Sequence, residues 1–186
     1  MSNKNSDELA QKLAQRFGDA NLSKRALSAL MANTFSKMYF IIDREWNQGE
    51  KLYKNMILTS IRYLEECGSG NYNNIMESLV AINSLPLVCK KSSDAGASIT
   101  AAIAASIKET YDALETNEIS VIRKRIGGHI SFFSTIVSVS KQESLISQEE
   151  LTTLSQNIPA NLKYILEKFD SGEWNENTLI HQSDLV

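Results

Sequence analysis

The sequence predicts an all-α fold, a single-domain bundle of seven or eight helices around a small-residue central helix. Three observations carry this. Apolar residues recur at three- and four-residue spacing through most of the chain, and no apolar/polar alternation is long enough to build a sheet. Only two prolines and eight glycines interrupt 186 residues. Finally, Ser92 to Leu114 is nearly free of charge, with Ile99, Ile103, Ile107 and Leu114 at helical spacing. Its other positions include Gly96, Ala97, Ala101, Ala102, Ala104 and Ala105. Small side chains let helix axes approach closely, so this segment is expected to sit among neighbours on several sides.

Taken in order, residues 1–5 read as a disordered start, 6–170 as one helical domain and 171–186 as a polar carboxy-terminal tail. Ser6 caps a first helix carrying Leu9, Leu13 and Phe17, which Gly18 ends. A second helix runs from about Ser23 to Arg44 on Leu27, Leu30, Met31, Met38, Ile41 and Ile42, and Trp46-Asn47-Gln48-Gly49 turns the chain. A third spans about Glu50 to Cys67 and stops at Gly68-Ser69-Gly70. The fourth, near Tyr72 to Asn83, uses Ile75, Met76, Leu79, Val80 and Ile82. Pro86 disfavours helix at Leu85, so Leu85 to Lys91 reads as a connection. Ser92, Ser93 or Asp94 then caps the small-residue helix.

A sixth helix follows Glu118 on Ile119, Ile122, Ile126, Ile130, Phe133 and Val137. Strand propensity competes at Ser131 to Ser140, but the apolar period crosses Gly127-Gly128 without slipping, which favours helix. Ser147-Gln148-Glu149-Glu150 forms a capping box before Leu151 and Leu154. Pro159 either starts another helix or kinks this one, and Leu162, Ile165, Leu166 and Phe169 supply the last stripe before Ser171-Gly172.

Composition bounds the function. A 42% hydrophobic and 22% charged chain is ordinary for a soluble domain, and at this length a core forms without staples. The amino terminus has no apolar run, so no signal peptide is expected, and no stretch approaches a membrane span. Cys67 and Cys89 alone suggest two reduced thiols, and with them a cytoplasmic location. The net charge of −3 is uneven: residues 94–186 hold 7 Lys+Arg against 13 Asp+Glu, or −6. An acidic half disfavours general nucleic-acid binding and suits a basic partner.

Chemical constellations are sparse. His129 and His181 are far apart and the cysteines form no CxxC, so no metal and no cofactor are expected. Asp43 to Gly49 fails as a calcium loop, because its glycine falls one place late and Lys54 stands where a bidentate glutamate is needed. Gly127-Gly128 lacks the Lys-Ser/Thr of a phosphate loop, and no GxSxG elbow occurs. Glu65-Glu66 and Glu149-Glu150 read as solvated faces. Arg123-Lys124-Arg125, with Lys90-Lys91, is the one basic cluster, and its three residues point in different directions on a helix.

Lys37-Met38-Tyr39, the Gly49 to Leu64 segment with Leu52-Tyr53, the small residues after Asp94, Glu118 to Phe133 and Ser147 to Leu151 occur in one order. Together they resemble the YjaG-like family, uncharacterised bacterial helical proteins of similar length. The resemblance implies a single all-helical domain across about residues 20–170 and brings no catalytic residues. The chain departs from it at Leu85-Pro86-Leu87-Val88-Cys89, where the family would have an aromatic and acidic run.

The function expected is therefore non-catalytic: a helical protein-binding module, most specifically a bacterial immunity protein neutralising a basic, nuclease-type toxin. Its expected contact residues are Asp43, Glu45 and Trp46, the carboxylates Glu149 and Glu150, and Glu173 with Trp174. Tryptophans anchor interfaces, though either could equally plug the core. The alternatives are an enzyme or small-ligand receptor with a pocket near His129 and the glycine pair, and a nucleic-acid regulator acting through Arg123-Lys124-Arg125.

Overall fold

In the computed structural model, the described residues are Lys12, Arg16, 22–116 and 118–186. The expected first helix and the disordered start fall outside them, apart from Lys12 and Arg16, both helical. Six α-helices form the rest: α1 Lys24–Glu45, α2 Lys51–Ser69, α3 Ile75–Asp94, α4 Ser98–Leu114, α5 Ile119–Gln142 and α6 Gln148–Asp170. A short 3-10 turn at Gln182–Asp184 completes the list, and no strand occurs among the described residues. The all-α class holds, with six helices there rather than seven or eight.

The centre of the bundle is α1, not the small-residue helix. It packs on α2, α4, α5, α6 and the 3-10 turn. Every residue from Ala26 to Phe35 is buried, so the helix is enclosed on all sides. Ala26, Ser28, Ala29 and Ala32 allow this by the same close-approach argument that singled out Ser92–Leu114. Phe35 meets Phe133 of α5 edge to face at 5.1 Å. α4 is a secondary hub between α2, α3, α5 and α1, while α3, among the described helices, packs chiefly on α2 and α4.

Pro86 lies inside α3 and does not end it. Proline costs a helix interior about 3 kcal/mol. Ile82, Leu85 and Val88 are fully buried on the same helix, each contributing roughly 1.5–3 kcal/mol, which outweighs that cost. Pro86 itself faces solvent. Pro159 is likewise accommodated within α6, which runs unbroken from Gln148 to Asp170. The Ser92–Leu114 stretch is divided: Ser92 donates its hydroxyl to Val88 O and Cys89 O inside α3, and Gly96, at φ 79°, makes the turn into α4. Ser131–Ser140 is helical, and α5 continues through both glycines.

The carboxy-terminal segment, polar by composition, folds back onto the core. Ile180 is fully buried, and its N–H donates to Gly68 O. Asn161, buried on α6, donates to Asn33 Oδ1 (3.0 Å) and Val186 O (3.0 Å) and accepts from Val186 N (2.7 Å). Asn33 of α1 donates to Gln182 O. Gly68 is required beneath this strap, because a Cβ there would stand 2.8 Å from Ile180 O.

Candidate functional site

Of the seven residues expected to meet a partner, Asp43, Glu149 and Glu173 are exposed, Glu45, Glu150 and Trp174 are half-buried, and Trp46 is buried. Glu45 ends α1 and its carboxylate accepts from Ile99 N (2.9 Å), Thr100 N (2.6 Å) and Thr100 Oγ1 (2.7 Å). It thus caps α4, whose own N-cap residue, Ala97, has no side chain for the task. Trp46 is 8% exposed and stacks on Tyr53, with ring centroids 6.0 Å apart. It is a core plug. Asp43 is exposed and accepts from Lys54 Nζ at 2.9 Å.

Glu150 closes the capping box of α6 with Ser147 and takes two hydrogen bonds from Arg44, at 2.8 and 2.7 Å. The Arg44 guanidinium, helped by the Ser147 backbone, holds its carboxyl down at about 2. Glu149 beside it is exposed. Glu173 pairs with Lys168, and Trp174 is half-buried edge-on to Tyr164 (5.6 Å) and Phe169 (6.2 Å). Trp174 also lines a groove of about 770 Å³ with Lys24, Arg25, Arg123 and Asp170. The structure brings the end of α1, with Asp43, Glu45 and Trp46, beside the start of α6, with Glu149 and Glu150, through the Arg44–Glu150 pair, and leaves Glu173 and Trp174 beyond the other end of α6.

The unpaired carboxylates lie elsewhere in the same half of the chain. Glu143, Glu149 and Glu176 are exposed and form no ion pair among the described residues. Glu167, Asp170 and Glu173, also exposed, each hold one Lys or Arg. The basic cluster is divided: Arg123 donates to Leu22 O, while Lys124 and Arg125 are exposed.

His129 borders a groove of about 600 Å³ between α4 and α5. Ala102, Ala105 and Gly128 leave the space, and Phe132, Arg125 and Glu109 edge it. The imidazole is 11% exposed, with Nε2 3.8 Å from Glu109 Oε2. Burial pushes its pKa below 6.5, against the opposing pull of Glu109. Among the described residues, no three His, Cys, Asp or Glu side chains converge as metal ligands. Cys67 and Cys89 are free thiols, each raised in pKa chiefly by burial and so poor nucleophiles.

One surface escaped the sequence reading. Met76, Val80 and Leu87 of α3 are exposed at 72, 61 and 45%, while Ser78 and Ser92 of the same helix are buried. The signal was present: α3 has apolar residues at two sets of helical spacing, and only one set can face inward. No described helix is long and apolar enough to cross a membrane. Compared with known proteins, the chain matches no family model, no curated protein and no solved structure.

Proposed function

We propose that this chain is a non-catalytic helical protein-binding module, most specifically a cytoplasmic bacterial immunity protein that neutralises a basic, nuclease-type toxin by direct contact. The observation that carries this reading is the set of exposed carboxylates in the carboxy-terminal half, Glu143 and Glu149 around the start of α6 and Glu167, Asp170, Glu173 and Glu176 at and beyond its end. Glu143, Glu149 and Glu176 stand there without cations, and Glu167, Asp170 and Glu173 are only singly paired. Such a field speeds encounter with a basic protein and orients it. The exposed contact residues are accordingly Glu149 and Glu173, joined by Glu143 and Glu176, while Glu45, Trp46 and Glu150 are engaged within the fold.

The test is co-expression with the products of the neighbouring genes, followed by affinity capture at low and high salt, with a basic protein as the expected partner. A 1:1 complex is expected, whose association rate falls about tenfold or more in a Glu143→Lys, Glu149→Lys, Glu176→Lys variant. Absence of any complex, or an association rate indifferent to both salt and these substitutions, overturns the proposal.

The groove beside His129 favours a second reading, a small-ligand receptor. Its volume falls within the usual range for ligand sites, and apolar Phe132 and polar Arg125 and Glu109 share its rim. A thermal-shift screen in which hits disappear on Gly128→Leu would support it. A screen without hits would remove it.

A further inference from the structure

We infer that the outer face of α3 is a self-association surface, on which a second copy of this chain packs antiparallel. Among the described helices α3 packs chiefly on α2 and α4, and the side away from them is exposed. Met76, Val80, Asn83 and Leu87 follow one another at steps of four, three and four, a single helical stripe, and all four are exposed. A monomer gains nothing by presenting Met and Val there while burying Ser78 and Ser92 on the opposite side.

The occupant follows from the arrangement of charge. Glu77 flanks the stripe at its amino-terminal end, and Lys90 and Lys91 flank it at the other. All three are exposed and make no ion pair among the described residues. A stripe with opposite charges at its two ends is complementary to itself when reversed. With a two-fold axis between Asn83 and Ser84, Val80 of each copy meets Leu87 of the other, and Glu77 comes opposite the Lys90–Lys91 pair. Asn83 then lies close to its own counterpart at the axis, where an amide pair can hydrogen-bond and fix the register, as a single polar residue does in a coiled coil. Parallel packing would instead set the lysines against one another.

This surface is separate from the acidic one assigned to a partner protein, so the two readings stand or fall apart. The experiment is sedimentation equilibrium of the full chain over a wide concentration range, with no other protein present. The expected result is a monomer–dimer equilibrium in the micromolar range. Val80→Asp weakens it about tenfold or more while leaving the thermal melt and helical signal unchanged, since the position is exposed. Glu77→Lys weakens it too, and adding Lys90→Glu and Lys91→Glu to that variant restores it. A chain monomeric at every concentration overturns the inference, as does a dimer indifferent to Val80→Asp. Failure of the charge exchange to restore association overturns the antiparallel register.

Discussion

Two helices of this protein are apolar over more than one face, and they have opposite fates. α1 is buried on every side from Ala26 to Phe35, whereas α3 buries Ile82, Leu85 and Val88 and leaves Met76, Val80 and Leu87 in water. The difference lies in the number of neighbours and not in hydrophobicity. α1 alternates large residues with Ala26, Ala29 and Ala32, which admit α2, α4, α5 and α6 close to its axis. α3 has large residues on its outer face, and no described helix covers them. An all-round apolar helix is thus a core when small residues make room around it, and an interface when they do not.

The sharpest way to break that contrast is truncation. Phe35→Ala in α1 removes a fully buried ring packed on Phe133 and is expected to cost about 3–5 kcal/mol in urea unfolding. Val80→Ala in α3 should stay within about 0.5 kcal/mol when measured on dilute, monomeric protein. Comparable costs at the two positions would mean that α3 is not an outer helix. Next in size is Gly68→Ala. A Cβ 2.8 Å from Ile180 O must lift the carboxy-terminal strap off α2, for about 1–3 kcal/mol and faster amide exchange at Ile180. Unchanged exchange there would show that the strap does not bear on α2.

Glu45→Ala deprives α4 of its borrowed cap and leaves the Ile99 and Thr100 amides unpaired, at about 0.5–2 kcal/mol. Glu45→Gln should recover only part of this loss, because an amide can accept from just one of its two terminal atoms. Full recovery would argue against the two-oxygen cap. The smallest effect is the pH response of Glu150. Its folded pKa is lowered from 4.5 to about 2, so its contribution is complete above the unfolded value and is lost as pH falls through that interval. A melting temperature that declines between pH 4.5 and 2, and declines less in Arg44→Gln, is the expected observation. Identical acid slopes in the two proteins would remove Arg44 as the cause.

Much of the fold was legible in the sequence because helices declare themselves by period and punctuation. Ser23 and Ser147 mark starts, Gly70 marks an end, and α5 keeps its apolar period across Gly127 and Gly128. What stayed hidden depended on partners distant in the chain. Pro86 is a breaker by local rules, but the burial of residues on either side decides in favour of helix. Glu45 reads as a surface carboxylate, since nothing nearby announces that the start of α4, 54 residues on, lacks a cap. Trp46 reads as a candidate anchor until Tyr53 and the absence of a side chain at Gly49 are seen to hold it inside. The tail reads as polar because its apolar anchors, Ile180 and Leu185, stand singly, and the rest of the strap is tied by backbone groups and two asparagines.

That strap has a consequence for how the protein is made. Asn33 donates to Gln182 O across 149 residues and accepts from Asn161 across 128. The central helix is therefore made well before the segments that enclose it. During translation at roughly 5–20 residues per second, its apolar sides wait for α6 and the returning segment before they are sealed. The growing chain is thus at greatest risk of aggregation at α1, and the return of residues 180–186 onto the core, more than any single helix, is the step at which this bundle closes.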